Sequence, residues 1–360
     1  MTVNARNQSI RTIGFAIAIL VMYGVHAFAV QEKISPLSDY QYKKDFAQYE
    51  TIKKEADVQK RADLLLAFVK EHPISRILFN VAGDYMECVK PQMGKDWAKA
   101  ISMEEALLAL VPTEQTVQAA NIPAGVDAFL KEHLAPTQKL LLQSLIAAYY
   151  QSNNLPKAAE TAEKAYTQFQ DKAMLPVLAD IYLKTQNFDK YLAYGQKIMA
   201  EFPMEQSYST AIQMAQVYIQ KQDVNSAIGL FSKVMDAYGD KVPPGAQEAQ
   251  WNATRAVAYT VIASDPYTKK DYPKAMELYD KVVKFNPKQP DAYYFLGMCK
   301  WQTKDQPGAI DAFAKAVVLK GSYAQRAQQY LEQLFKAEHN GSLDGLDQVL
   351  AKAKTDVGAN

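Results

Sequence analysis

The sequence predicts an all-α chain assembled from repeated pairs of antiparallel helices. Three observations predict it. A block of residues recurs at an offset of 34 positions, apolar side chains upstream of each copy fall three and four apart, and an Asn or Asp, mostly with a proline two residues on, precedes the copies.

The recurrence is clearest near the carboxyl end, where Ala275 to Pro287 (AMELYDKVVKFNP) aligns with Ala309 to Gly321 (AIDAFAKAVVLKG). Tyr279 falls on Phe313, Lys281 on Lys315 and Val282 on Ala316. Looser copies start at Ala227 (AIGLFSKV) and Ala158 (AAETAEKA). Asn154, Asp223, Asp271 and Asp305 stand four residues before the alanine, and Pro156, Pro273 and Pro307 two before it. An Asx side chain accepts from a first-turn amide that has no intrahelical partner, and proline presets φ there, so each alanine sits near the start of a helix.

Upstream of each such helix lies another with one apolar face. The stripes are Leu142, Leu145, Ile146, Tyr149; Leu175, Leu178, Ala179, Tyr182; Ala211, Met214, Ala215, Tyr218; and Tyr293, Leu296, Gly297. Fainter copies reach toward the amino terminus. Val81, Ala82 and Tyr85 followed by Trp97, Ala100, Leu107 and Pro112 form a unit with a longer inter-helix loop, and Phe46 to Pro73 forms one more. In the unit from Trp251 through Ala258 to Ala275, Ser264 to Tyr272 reads as a lengthened connection. Ser322 to Lys336, with Tyr323, Ala327, Tyr330 and Leu334 on one face, reads as a cap helix. Beyond Asn340-Gly341, Leu343, Leu346, Val349 and Leu350 form a short amphipathic helix that either folds back or awaits a partner.

A 34-residue unit of two antiparallel helices, with a small residue after a large one in the first and alanine at the close approach of the second, resembles the tetratricopeptide repeat. Tyr293, Leu296, Gly297, Ala309, Phe313 and Ala316 occupy its signature positions, and Lys300 departs where a tyrosine is expected. The resemblance implies a right-handed α-solenoid of about seven repeats plus the cap helix, spanning residues 30–338, with a tail at 339–360. It also implies a concave groove lined by the first helices. Carried onto this chain, the groove positions are Gln143, Ala147 and Tyr150; Asp180 and Leu183; Ile212, Gln216 and Ile219; Arg255 and Tyr259; and Tyr294, Met298 and Trp301. Of these, Tyr150, Gln216, Arg255, Tyr259, Tyr294, Met298 and Trp301 are the expected partner-binding residues. Chaperone-binding members of the family grip a terminal carboxylate with Lys and Asn on consecutive first helices; this lining offers only Arg255 and Asn252, so such a clamp is not expected. Aromatic residues such as Tyr294 and Trp301 suit apolar anchors of a peptide. The competing reading packs Trp301 on the cap helix and Tyr294 on the next unit.

The amino terminus reads as a targeting segment. Arg6 and Arg11 precede an uncharged stretch from Thr12 to Val30, and Ala27-Phe28-Ala29 places small residues where signal peptidase acts, so residues 1–29 form an export signal cleaved after Ala29. The alternative is a retained anchor through residues 12–30, facing the same compartment. Either reading places the remainder outside the cytoplasm, periplasmic or secreted. No cysteine lies near the cleavage point, which argues against lipid modification there.

With 40 Lys+Arg against 39 Asp+Glu the net charge is +1, which disfavours nucleic acid or an anionic bilayer as a charge-driven partner. At 49% hydrophobic and 22% charged, the chain folds around a sizeable core. Cys88 and Cys299 lie far apart in apolar helical stretches and read as small buried hydrophobes.

Chemistry is sparse. His26, His72, His133 and His339 stand singly, so no metal-ligand spacing exists, and no phosphate loop, dinucleotide fingerprint or nucleophile elbow is present. Glu104-Glu105 reads as part of a solvated helix face. No catalytic residue, metal or cofactor is expected. The function expected is a non-catalytic exported scaffold that binds a protein or peptide partner. The alternatives are a self-assembling structural element of the envelope and, more remotely, a cell-wall enzyme on a helical solenoid.

Overall fold

The computed structural model describes residues 35–359. The export-signal reading of residues 1–29 and the anchor reading of residues 12–30 lie outside the described residues. Those described are helical throughout, without a strand, and the chain divides into two compact units, Met1–Ile181 and Tyr182–Asn360.

The first unit contains α1 (Asp39–Ile52), α2 (Val58–Glu71), α3 (Leu78–Val89), α4 (Trp97–Leu110), α5 (Glu114–Ala119), α6 (Val126–Phe129), α7 (Ala135–Gln151) and α8 (Leu155–Phe169). Successive helices pack on one another, α1 on α2, α2 on α3, α3 on α4 and α7 on α8, with α4 also against α7. The core runs through Leu65, Phe68, Leu78, Val81, Tyr85, Leu107, Phe129 and Leu141. A short 3₁₀ turn, Lys90–Gln92, lies in the long connection after α3.

The segment between Thr113 and α7 departs from the repeat. Gly125 takes φ +83° ahead of α6, and a π turn, Leu130–Leu134, joins α6 to α7. Pro136 in the first turn of α7 explains the widening, because its ring would strike the carbonyl four residues back in a regular α-helix. Thr137 donates to the His133 carbonyl at 2.6 Å across the same turn.

Helix α9 (Met174–Lys184) straddles the unit boundary. The second unit continues with α10 (Phe188–Glu201), α11 (Met204–Gln220), α12 (Val224–Tyr238), α13 (Glu248–Thr268), α14 (Tyr272–Phe285), α15 (Pro290–Gln302), α16 (Gln306–Leu319), α17 (Ala324–Glu338) and α18 (Leu346–Asp356). Each helix from α10 to α16 packs on the next, the nearest-neighbour pattern of an α-solenoid. Gly297 lets α15 approach α16 closely: a Cβ there would stand 2.8 Å from the Phe313 ring.

One turn recurs between first and second helices. Asn153, Gln186, Gln222, Lys270 and Lys304 take positive φ between 56° and 67°. The next residue, Asn154, Asn187, Asp223, Asp271 or Asp305, sends its amide back to a carbonyl of the preceding helix at 2.8–2.9 Å. Its side chain then caps the following helix, accepting from the amide three residues on. The helix starts inferred from the Asx and proline positions are therefore observed.

The expected long connection from Ser264 to Tyr272 is corrected. Helix α13 runs on to Thr268 with Pro266 inside it, leaving only Lys269 to Asp271 as the turn. Burial holds the proline in place: Pro266 is enclosed, and the Tyr267 ring meets Tyr279 at 6.4 Å and Phe295 at 5.1 Å. At the carboxyl end α18 folds back on α16, burying Leu346, Ala353 and Val357, with Lys315 paired to Asp356 at 3.6 Å. Cys88 and Cys299 are buried free thiols, and burial pushes Cys299 up to about 12. Among the described residues no helix is long and apolar enough to cross a membrane.

Candidate interaction site

Side-chain burial on the first helices decides what they offer a partner. In the first unit, Gln143 and Ala147 on α7 are exposed, while Tyr150 is half-buried and donates its hydroxyl to Asp180. In the second unit, α11 is the most open. Ile212 is half-buried, Gln216 exposed and Ile219 37% exposed, one helical stripe spaced four and three apart.

The equivalent stripe on α13 is closed. Arg255 is 4% exposed: one of its terminal nitrogens donates to Asn252 Oδ1 at 3.1 Å, the other to the Asp240 carbonyl at 2.7 Å, and its guanidinium carbon lies 4.4 Å from the Phe285 ring centre. Tyr259 is 6% exposed and stacks on Phe285 at 6.1 Å, 11° from parallel. On α15, Tyr294 is 6% exposed and touches four rings, Phe295, Phe313, Tyr323 and Tyr330. Met298 and Trp301 are half-buried, with the Trp301 ring 5.2 Å from Tyr330 of α17. Of the seven expected partner-binding residues, Gln216 is thus exposed, Tyr150, Met298 and Trp301 are half-buried, and Arg255, Tyr259 and Tyr294 are packed inside the unit.

Sequence reasoning missed the ring that closes α13, whereas the packing of Tyr294 and Trp301 on the cap segment is the competing reading of the sequence. Phe285 ends α14 and Tyr323 immediately precedes α17, so neither lies on the helix it covers. Tyr279, Phe295 and Tyr267 extend the same aromatic lattice. Their spacing signals burial, but not which first helix they meet.

The acid pair is also corrected. Glu104 is completely buried on α4, on the same face as Ala100 and Leu107, and accepts from Ser144 of α7 at 2.9 Å. Its Oε2 has no partner, and burial pushes the carboxyl up to about 7. Glu105 accepts from the Tyr149 hydroxyl. The spacing of Ala100, Glu104 and Leu107 carried this signal. A carboxyl sealed between helices gives a substrate no approach, whatever its pKa.

Asp45, His72 and Ser75 gather between α1 and the loop after α2. Ser75 donates to Asp45 Oδ2 at 2.5 Å, Gln41 to Oδ1 at 2.6 Å, and His72 Nδ1 lies 3.4 Å from Oδ1. The serine is fully buried and its hydroxyl bonds the acid, not the imidazole, so the trio is a strut and not a nucleophile with its base. Among the described residues no group of three or more His, Cys, Asp or Glu side chains is placed to hold a metal.

Residues 262–329, from the end of α13 into α17, match the tetratricopeptide repeat family. This stretch is tetratricopeptide repeat. The match takes in the repeat made by α15 and α16, the one whose signature residues are most complete. Solved structures with similarity to the chain include MamA (20% identity, 49% of this chain and 92% of that one, TM-score 0.35). Another is YrrB, described as a tetratricopeptide repeat protein with an unusual peptide-binding site (13%, 53% and 92%, TM-score 0.39). A third is a tetratricopeptide domain pair of yeast Sti1 in complex with an HSP90 peptide (14%, 88% and 99%, TM-score 0.34). No curated protein sequence matches the chain.

Proposed function

We propose that the chain is a non-catalytic scaffold that binds a protein or peptide partner through the first helices of its tetratricopeptide repeats. The observation carrying this reading is the open stripe of α11. Ile212, Gln216 and Ile219 present two apolar side chains about an amide on a rigid helix, which suits an extended segment needing one hydrogen-bonded anchor between apolar contacts. The stripe carries no formal charge, so affinity depends weakly on salt. Met298 and Trp301 offer a smaller, half-buried contribution.

The residue pattern at 1–29 supports export, and with it a partner in the cell envelope or outside the cell. Mass measurement of the purified chain tests this: a mature amino terminus at Val30 is expected, and an intact Met1 in a membrane fraction would favour the anchor. Self-assembly through the tail receives less support, since α18 already buries its apolar face on α16.

Crosslinking in intact cells, read by mass spectrometry, tests the binding face. Partners recovered with the native chain and lost from a folded Gln216→Arg, Ile219→Asp chain are the expected result. Identical partner lists would move the site off α11.

A further inference from the structure

Three buried hydrogen-bond donors without acceptors share one place in the second unit. Among the described residues they are the Arg255 Nε–H, the Trp251 indole N–H and the Tyr238 hydroxyl. The Tyr238 and Trp251 rings are 5.8 Å apart, and the Arg255 guanidinium carbon is 5.7 Å from the Trp251 ring. Arg255 reaches only neutral acceptors, Asn252 Oδ1 and the Asp240 carbonyl. The Asp240 carboxylate turns instead to Lys284 at 3.3 Å.

Such a cluster has an excess of donors and a guanidinium whose acceptors are all neutral. A water would accept from at most two of the three and bring protons of its own, for which these groups offer only the Tyr238 oxygen. An anion has lone pairs for all three kinds of donor and a charge that balances the guanidinium. Burial, and then the exposed Glu205 carboxylate, raise the Tyr238 hydroxyl's pKa and so keep it the donor this requires. The connection between α12 and α13 lies against Arg255. It holds Gly239 at φ +52°, Pro243, Pro244 and Gly245 at φ +78°, and Arg255 fastens it by the Asp240 carbonyl.

We propose that Arg255, Trp251 and Tyr238 form a site for a small monovalent anion, a halide or a carboxylate group, beneath the segment 239–247. The site is independent of the α11 stripe and stands whether or not that stripe binds a partner.

The test is thermal melting of the full chain in 1 and 100 mM chloride, and separately in acetate, with ionic strength held constant by methanesulfonate. A rise of roughly 5 °C in at least one anion is expected for the native chain, and no dependence for Arg255→Met. Tyr238→Phe keeps the ring and removes one donor, so its half-saturating concentration rises roughly tenfold. Chloride acting identifies a free ion; acetate acting alone identifies a carboxylate, such as an acidic side chain or chain end of a bound protein. The proposal is overturned if the native chain melts alike in every anion, or if Arg255→Met responds as the native chain does. Should Arg255→Met fail to fold, an unchanged half-saturation in Tyr238→Phe overturns it.

Discussion

Tyr294 stacks on Tyr323 with ring centres 4.5 Å apart and planes 9° from parallel, so the first helix of the best-preserved repeat is roofed by the residue just before α17. Tyr323→Ala should therefore loosen α17 from α15, at a cost of about 2 kcal/mol. Urea denaturation measures the loss, and amide exchange should accelerate first in α17. Unchanged exchange there would mean that Tyr330 and Leu331 hold the helix alone.

Trp301→Ala and Gln216→Arg should separate packing from surface. Trp301 lies 5.2 Å from Tyr330, and its truncation should lower stability by roughly 2 kcal/mol. Gln216 is exposed and should change stability by less than about 0.5 kcal/mol while reducing partner recovery. A Trp301→Ala chain that melts normally yet loses its partner would assign the indole to binding.

Two helical glycines should respond in opposite directions. At Gly297 a methyl would meet the Phe313 ring at 2.8 Å, so Gly297→Ala should cost about 1–3 kcal/mol. Gly229 on α12 has nothing within 4 Å, and Gly229→Ala should stabilise by up to about 1 kcal/mol. Chemical denaturation of both variants checks the pair.

Glu104 should make the first unit less stable as pH rises. Its folded pKa of about 7 exceeds the ordinary 4.5, so between those values the unfolded chain releases a proton that the folded chain keeps. Stability contributed below pH 4.5 falls through this window and levels off above pH 7, by an amount on the order of 3 kcal/mol. Glu104→Gln should remove that slope. A native unfolding curve that is flat over the same range would show that the carboxyl is solvated.

Lys304 takes φ +67° with a side chain that gains nothing from that conformation. Lys304→Gly should stabilise by about 0.5 kcal/mol, because the relief of left-handed strain outweighs the added freedom of the unfolded chain. Asn153→Gly should gain less, since asparagine tolerates this region. Melting both variants tests the ordering.

The helix pairs were legible because their information is local. An Asx cap and an alanine four residues on specify where α8, α12, α14 and α16 start, with a first-turn proline in all but α12, and apolar spacing identifies the faces of α7, α11 and α15. The connection expected from Ser264 to Tyr272 failed for a physical reason: Pro266 is buried, and α13 runs two residues past it. The π turn before α7 and the short α5 have no counterpart in the repeat and left no periodic trace. Glu104 was legible in part, since its spacing from Ala100 and Leu107 places it on the buried face. The closure of Tyr294 was one of the two readings its sequence position allowed, and that of Arg255 and Tyr259 was not legible. Repeat register says which way a side chain points, while Phe285, Tyr323 and the Asp240 carbonyl, which cover them, come from other elements.

Each turn led by Asn153, Gln186, Gln222, Lys270 or Lys304 closes its own hydrogen bonds within a few residues, whatever stands on either side. A unit therefore carries its own bend with it. Duplication or loss of a whole pair would keep this bend in every copy, while the ring contacts between pairs, such as Tyr267 on Phe295 and Tyr294 on Tyr323, would have to be rebuilt. Insertions of other sizes have no such licence and must collect outside the turns, where α5 and the widened turn before α7 already stand.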